Sequence, residues 1–284
     1  MKTVLITGAT AGIGLHCAEQ IAARGHHMVL VGRSEDKLAA ASTRVRAAGA
    51  PRVDALLADF ASLTAVDALA DQVLATYGHL DVLINNAGGM FLHHSQTQDG
   101  IEATFGVNHL AGYLLTERLR PLIVASAPAR IVITASSGHY RAAPPRFDDS
   151  DFPKGYNGFA AYYRSKLANV LYTRALASQL EGTGVTVNAL HPGAVATDIW
   201  NSTPGFARPL VALTKRLVMI SPAEGGSRVT HLALDPAVAE RTGSYFDRNR
   251  VKQPSGLARD GALAERLCEV SARLTGIDGD RSTQ

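Results

Sequence analysis

The sequence predicts an α/β protein of the doubly wound kind: a parallel sheet of about seven strands with helices on both faces. Three observations carry that expectation. Short apolar runs rich in β-branched residues alternate along the chain with segments whose apolar residues recur at helical spacing. The first such run ends in a glycine cluster that opens directly into a helical pattern. At 284 residues and 46% hydrophobic content, the chain can bury one large core and needs no second domain, so a single domain is read over 1–284.

Lys2 to Thr7 is the first strand. It ends in Thr7-Gly8-Ala9-Thr10-Ala11-Gly12-Ile13-Gly14, after which Leu15, Cys17, Ala18 and Ile21 have helical spacing. Glycine here allows a tight turn and lets a pyrophosphate approach amide N–H groups at a helix N-terminus, where the dipole favours anions. Gly8, Thr10, Gly12, Ile13 and Gly14 are therefore candidate dinucleotide ligands. Met28 to Val31 is the second strand, followed by Gly32-Arg33-Ser34. No acid stands at its end, where an NAD-binding fold places one against the ribose hydroxyls. Arg33 and Ser34 offer a cation and a hydroxyl to a 2′-phosphate instead, which favours NADP(H) over NAD(H); Ser34 also reads as the cap of a helix from Glu35 to Ala48. A third strand, Val53 to Ala58, delivers Asp59 and Phe60, and Ser62 opens a helix to Tyr77.

Leu80 to Ile84 is the fourth strand, followed by Asn85-Asn86-Ala87-Gly88-Gly89. His93 and His94 follow without a third ligand at metal-like spacing, so no metal is expected. An amphipathic helix from Thr104 to Glu117 holds Asn108 among apolar residues, where its amide needs partners. Arg130 to Ala135, the fifth strand, leads into Ser136-Ser137-Gly138-His139, and an irregular loop rich in Pro, Asp and Arg fills 141–157. A long helix from Ala161 to Leu180 then carries Tyr162 and Lys166, four apart and so on one face. A neighbouring cation favours the phenolate, which would let Tyr162 exchange a proton near neutral pH. Lowering a phenol by about 3 units from about 10 takes roughly 4 kcal/mol, more than a partly solvated lysine supplies alone.

Val185 to Leu190 is the sixth strand and runs into His191-Pro192-Gly193-Ala194-Val195-Ala196-Thr197. The segment 194–221 is too apolar for a free loop: it holds Trp200 and Phe206, with Leu210, Leu213 and Leu217 spaced as a short amphipathic helix. It reads as a lid over the site, and an apolar lid favours a lipophilic substrate. Ser221-Pro222-Ala223-Glu224 is a capping box opening a helix to about Leu234; Gly243 to Phe246 is the seventh strand. Leu263, Leu267, Val270 and Leu274 form one stripe of a closing helix stopped at Gly276.

Composition narrows the functional classes. The net charge of +3 is small and its cations scattered, which argues against nucleic acid and is compatible with an anionic cofactor. The two cysteines, Cys17 and Cys268, sit on different expected helices, so neither a disulfide framework nor a zinc site is supported. No window reaches membrane-spanning length, and the expectation is a cytoplasmic protein.

The long glycine turn at 7–14, Asn85-Asn86-Ala87-Gly88, Val107-Asn108-His109-Leu110, the serine pair, Tyr162 with Lys166, and Pro192-Gly193-Ala194-Val195-Ala196-Thr197 occur in the order that resembles the short-chain dehydrogenase/reductase family, in its retinol dehydrogenase and carbonyl reductase-like subgroup. The resemblance implies a Rossmann-type fold and hydride transfer between NADP(H) and a carbonyl or alcohol. It implies Asn108, Ser137, Tyr162 and Lys166 as the catalytic set, with Ser137 preferred to Ser136 because the subgroup reads Val-Ser-Ser-x-x-His here with its second serine functional, and substrate contacts from Ser137, His139 and Trp200. On the cofactor it places Asp59 and Phe60 at the adenine, Asn86, Ala87 and Gly88 beside the dinucleotide, Tyr162 and Lys166 at the ribose, and Pro192, Gly193, Val195 and Thr197 at the carboxamide. It also implies a homodimer or homotetramer through the helices around Asn108 and Tyr162. The loop before Tyr162 is longer than in the family's shortest members, and, since the first strand is entered by Thr3, the membrane anchor that many of the subgroup carry is not expected. The alternative is a dinucleotide-binding protein of the same fold with a redox-sensing or non-redox lyase or isomerase role; the presence of all four catalytic positions favours the oxidoreductase.

Overall fold

The computed structural model describes residues 1–145, 155–193 and 220–277. Their strands are β1 (Thr3–Thr7), β2 (His27–Gly32), β3 (Val53–Leu57), β4 (Val82–Asn85), β5 (Ala129–Thr134), β6 (Val185–His191), β7 (Tyr245–Asp247) and β8 (Arg250–Val251). They form one sheet in the order β3-β2-β1-β4-β5-β6-β7-β8, parallel throughout except for β8. The doubly wound sheet expected from the sequence is therefore present, with one antiparallel strand added at its edge. That strand arises because Arg248 and Asn249 both take left-handed φ, 52° and 63°, which closes a two-residue hairpin without a glycine.

Side chains alternate across the sheet. Val4, Ile6, Met28 and Leu30 face one side, where α1 (Gly12–Ala22), α2 (Glu35–Ala47) and α7 (Pro222–Leu234) cover them. Leu5, Val29, Val31, Ile131 and Ile133 face the other, under α3 (Leu63–Thr76), α5 (Ala111–Ala125), α6 (Gly158–Gln179) and α8 (Gly261–Thr275). The short α4 (Ala103–Phe105) and a π-helical segment, Gly106–Leu110, lead into α5. Strand order reverses between β1 and β4, so their outgoing loops part and leave a crevice at the carboxyl ends, where ligands of such sheets bind.

Helix α6 starts three residues before the expected Ala161, because Asn157 Oδ1 accepts from the N–H groups of Phe159 and Ala160 at 3.0 and 3.1 Å. Its outer face is covered by α8, whose Ala264, Leu267, Cys268 and Ala272 join the same core cluster. Among the described residues, no helix is long and apolar enough to cross a membrane.

At the opposite end of the strands, Asp54 ties β2, β3 and α3 together. Its Oδ2 meets His27 Nε2 and the Tyr77 hydroxyl, both at 2.9 Å, and its Oδ1 accepts from Arg52 at 3.1 Å. Burial pushes this carboxyl up, but the hydrogen bonds from Arg52, Tyr77 and His27 outweigh it and hold Asp54 below its ordinary 3.8. A depressed carboxylate stabilises the fold above its unfolded pKa and loses that contribution as pH falls through the folded one. Asp54→Asn is thus expected to cost about 1 to 3 kcal/mol at pH 7. In denaturant titrations the gap from wild type closes below pH 3.8; a gap independent of pH refutes the role of the charge.

Candidate active site

A cavity of about 880 Å³ opens at the carboxyl ends of the strands. One wall is the turn after β1, formed by Gly8, Thr10, Gly12, Ile13 and Gly14. A Cβ on Gly14 would lie 2.2 Å from the Gly8 carbonyl oxygen, so no other residue fits there without moving the backbone. The helix behind this turn is built differently from its neighbours. Ser34, Ser62, Asn157, Ser221 and Asp260 cap α2, α3, α6, α7 and α8 with their side chains. The N-terminus of α1 has no side-chain cap and no acid in its first turn. Its N–H groups therefore face the cavity free to receive an anion, which is the fit expected for a dinucleotide's pyrophosphate.

The loop after β4 forms the adjoining wall with Asn86, Ala87 and Gly88. Asn86 Nδ2 donates to the carbonyls of Thr7 and Gly8, while Thr7 Oγ1 accepts from the N–H groups of Asn86 and Ala87, each at 3.0 Å. Gly88 sits so close to Asn108 that a Cβ would lie 2.9 Å from its Oδ1. Asn108 is in the π-helical segment and its amide is fully engaged: Oδ1 accepts from Gly89 N–H at 2.7 Å, and Nδ2 donates to Gly89 carbonyl and Ser165 Oγ at 2.9 and 3.0 Å. Ser165 in turn donates to the Tyr162 carbonyl at 2.8 Å. Asn108 thus braces the loop after β4 against α6 with its side chain, and the π-turn, in which Ala111 N–H reaches back to Gly106, skips a backbone carbonyl that an α-helix would pair.

Ser136, Ser137, Tyr162 and Lys166 line the same cavity. The serine beside Tyr162 is Ser136 and not the expected Ser137: Ser136 is buried and hydrogen-bonds the phenol, whereas Ser137 is exposed. The cause lies in how the chain leaves β5, since Ser136 faces inward as the cap of a 3₁₀ turn, accepting from Gly138 N–H at 3.1 Å, and Ser137 begins the turn on its outer side. The signal was present in the spacing. In Val-Ser-Ser-x-x-His the second serine stands three residues before the histidine, and Ser136 has that relation to His139. His139 itself is corrected from a substrate contact to a buried support. It is 0% exposed, with Nδ1 donating to the Ser136 carbonyl at 2.7 Å and Nε2 accepting from Ser255 N–H at 3.2 Å. Those partners require the neutral form, and burial accordingly lowers its pKa.

The electrostatics also differ from expectation. Lys166 Nζ lies 5.6 Å from the centre of the Tyr162 ring and donates to the Thr134 carbonyl at 3.1 Å. Burial pushes the Tyr162 phenol above its ordinary 10, offset in part by Ser136, and burial lowers Lys166 to about 8. The phenol of the free protein is therefore protonated at neutral pH, an acid with its proton in place.

Arg33 is exposed just past β2, and it follows Gly32, which packs on the glycine turn so closely that a Cβ would meet the Thr10 methyl at 2.6 Å. Ser34 caps α2, and Asp59 Oδ1 accepts from Ala61 N–H at 3.0 Å. Phe60 turns its ring into the core, leaving only its backbone for a ligand. Pro192 and Gly193 line the cavity floor. They are held by a residue the sequence did not single out, Arg228 of α7, which donates to the Pro192 carbonyl at 2.8 Å and pairs with Glu224 at 2.6 Å. Its position four residues after the capping-box glutamate was the available sign. Val195, Thr197, Trp200 and the lid segment up to 219 lie outside the described residues, as does 146–154 of the long loop. Among the described residues, no cluster of three metal-ligating side chains occurs.

Comparison with known proteins places the chain in a family. The sequence profile of the short chain dehydrogenase family matches residues 2–147 and 150–205. Human retinol dehydrogenase 13 is 40% identical over 283 residues, which is 98% of this chain and 85% of that protein. Among solved structures, an uncharacterized protein from Mycobacterium paratuberculosis superposes with a TM-score of 0.78 at 28% identity, covering 97% of this chain and 94% of that one. A blue fluorescent protein from a metagenomic library, in complex with NADPH, does so with a TM-score of 0.69 at 26% identity, covering 87% and 95%. With its fold, its glycine turn and the Ser136, Tyr162 and Lys166 group in one cavity, the chain belongs to the short-chain dehydrogenase/reductase family and is similar to its retinol dehydrogenases.

Proposed function

We propose that the protein is an NADP(H)-dependent oxidoreductase that interconverts a lipophilic ketone or aldehyde and its alcohol. The observation that carries this reading is that an acid-bearing group, Ser136 with Tyr162 and Lys166, and the uncapped N-terminus of α1 wall one cavity. The chemistry that NADP(H) supplies when bound is hydride transfer to or from the substrate carbon. The chain's part is to bind, orient and move a proton. The N–H groups of α1 hold the pyrophosphate, Arg33 and Ser34 the 2′-phosphate, Asp59 and the Phe60 backbone the adenine, and Lys166 the ribose hydroxyls. The backbone of Pro192 and Gly193, with Val195 and Thr197, holds the carboxamide. Ser136 hydrogen-bonds the substrate oxygen and Tyr162 gives it a proton in reduction or removes one in oxidation. Asn108 keeps the loop after β4 and α6 in register. Met90, Phe159 and Tyr163, which line the cavity, give the substrate apolar support, and the apolar composition of the sequence after Gly193, with Trp200 in it, agrees with a lipophilic substrate.

Tyr162→Phe is expected to lower kcat by about 10² to 10⁴ while leaving the NADPH Kd within about threefold of wild type, as the loss of a general acid requires. Ser136→Ala should lower kcat about 10- to 100-fold and Ser137→Ala less than about threefold. Steady-state kinetics with the reverse order would return the role to Ser137.

Preference for NADPH over NADH in kcat/KM is expected on the order of 10 to 150, the worth of one charge-assisted hydrogen bond. Arg33→Asp should invert it, and a wild type that uses both cofactors equally refutes the assignment of Arg33.

A homologous series of alkyl ketones or aldehydes tests the substrate. Each added methylene should raise kcat/KM about three- to fourfold until the pocket is filled, from roughly 0.8 kcal/mol per buried methylene. A flat series, or preference for a small charged keto acid, refutes a lipophilic pocket.

A further inference from the structure

Behind Lys166 runs a chain of buried polar groups that the proposed reaction does not use. The Thr134 carbonyl at the end of β5 accepts from Lys166 Nζ at 3.1 Å and from Asn169 Nδ2 at 3.2 Å. A carbonyl oxygen only accepts, so this contact fixes the Asn169 amide and turns its Oδ1 the other way. Oδ1 faces His109 Nδ1 at 3.2 Å, and that nitrogen must therefore carry the ring proton. His109 Nε2 is left as an acceptor, and the Ser271 hydroxyl of α8 stands 3.0 Å from it as the donor. One backbone carbonyl thus sets the direction of every hydrogen bond from Lys166 to the last helix. The members are exposed by only 4% at Lys166, 5% at Asn169, 2% at His109 and 0% at Ser271, so water does not substitute for any of them.

We propose that Asn169 and His109 are positioning residues for Lys166, acting through the shared Thr134 carbonyl, with Ser271 holding His109 in the tautomer this requires. The proposal deepens the function argued above and rests on the role given there to Lys166. A lysine side chain is flexible, and ordering it costs rotamer entropy. Here its ammonium is aimed by a carbonyl whose second acceptor site is already filled by a rigidly held amide. That amide also acts on charge: its positive end lies against the oxygen that receives the ammonium and competes for it. Among the described residues, the titratable groups facing Lys166 are Tyr162 on its own helix and His109 from the π-helical segment. Burial lowers His109 to about 4, so it is neutral at working pH and adds no charge beside the lysine. The ring is fixed independently of its hydrogen bonds by Phe105, Tyr113 and Tyr172, with centroids 5.2, 6.1 and 6.0 Å away.

The test is the pH dependence of kcat/KM for NADPH, which reports groups of the free enzyme, measured together with kcat and the carbonyl KM. In the wild type an alkaline limb is expected near the Lys166 pKa of about 8, activity falling as the ammonium is lost. Asn169→Leu removes the competing donor and His109→Phe keeps the ring without its nitrogens. Each should lower kcat about tenfold or more, change the carbonyl KM less than about threefold, and move the limb upward by about half a pH unit or more. His109→Asn, which retains a donor at the Nδ1 position, should restore kcat to within about threefold and return the limb. Ser271→Ala, a small change that should fold, is expected to shift the limb in the same direction by a smaller amount. Variants with lowered Tm but wild-type kcat and limb would make the chain merely structural and overturn the proposal. Should the first two variants fail to fold, a Ser271→Ala enzyme with an unshifted limb overturns it. Lys166→Ala separates the two levels. If that variant stays active, the role given to Lys166 in the proposed function fails; if it is inactive while His109→Phe and Ser271→Ala match the wild type, only the present inference fails.

Discussion

The constraint on which the site depends is the contact between the turn after β1 and the loop after β4. These strands are neighbours in the sheet, yet their connections leave in opposite directions, and something must hold the two loops together at the top of the crevice. Thr7 and Asn86 do this with side chains: one hydroxyl accepts two backbone N–H groups, and one amide donates to two carbonyls. The approach is so close that Gly8 and Gly14 admit no Cβ. A bulkier turn would not merely obstruct a ligand. It would separate β1 from β4, release Gly89 from Asn108 and so loosen α6, which carries Tyr162 and Lys166. The wall formed by the turn after β1 and the wall that carries Tyr162 and Lys166 are thus one mechanical unit.

The free protein holds its two reactive groups against their charged forms. Burial raises Tyr162 and lowers Lys166, and neither is the other's main influence. A bound dinucleotide brings anionic phosphates, which favour the ammonium, and an oxidised nicotinamide brings a cation, which favours the phenolate. The neighbourhood of Tyr and Lys on one helix face is therefore necessary for the chemistry but does not tune the pair by itself.

How far the sequence could be read follows from which forces are local. Strand and helix order, the glycine turn and the Tyr162 and Lys166 pair are recorded in periodicity and spacing, which neighbours along the chain decide. Ser136 and Ser137 are the opposite case: two adjacent hydroxyls differ only in which side of β5's exit they face, and a shift of one residue exchanges inside for outside. His139 was misread because its burial is imposed by Ser255, 116 residues away in sequence, and by Tyr245 on a late strand. Helical spacing brought Lys166 near Tyr162, but the rotamer that sends its ammonium to Thr134 depends on β5. The two-residue β8 was not visible because its turn uses Arg248 and Asn249 at positive φ where glycine is the usual sign.

Helix α8 shows how one element can serve two ends. Its apolar stripe of Ala264, Leu267, Cys268 and Ala272 seals α6, the face on which association with another copy was expected. The same helix sends Ser271 into the polar chain behind Lys166 and receives the Tyr113 hydroxyl on the Cys268 carbonyl at 3.4 Å. An apolar stripe alone would give burial with little preference for axial position, because a helix sliding by part of a turn still covers apolar surface. The two hydrogen bonds restrict that freedom, since each is lost if the helix shifts. Register at the far end of the chain is in this way tied to the geometry around the reactive lysine.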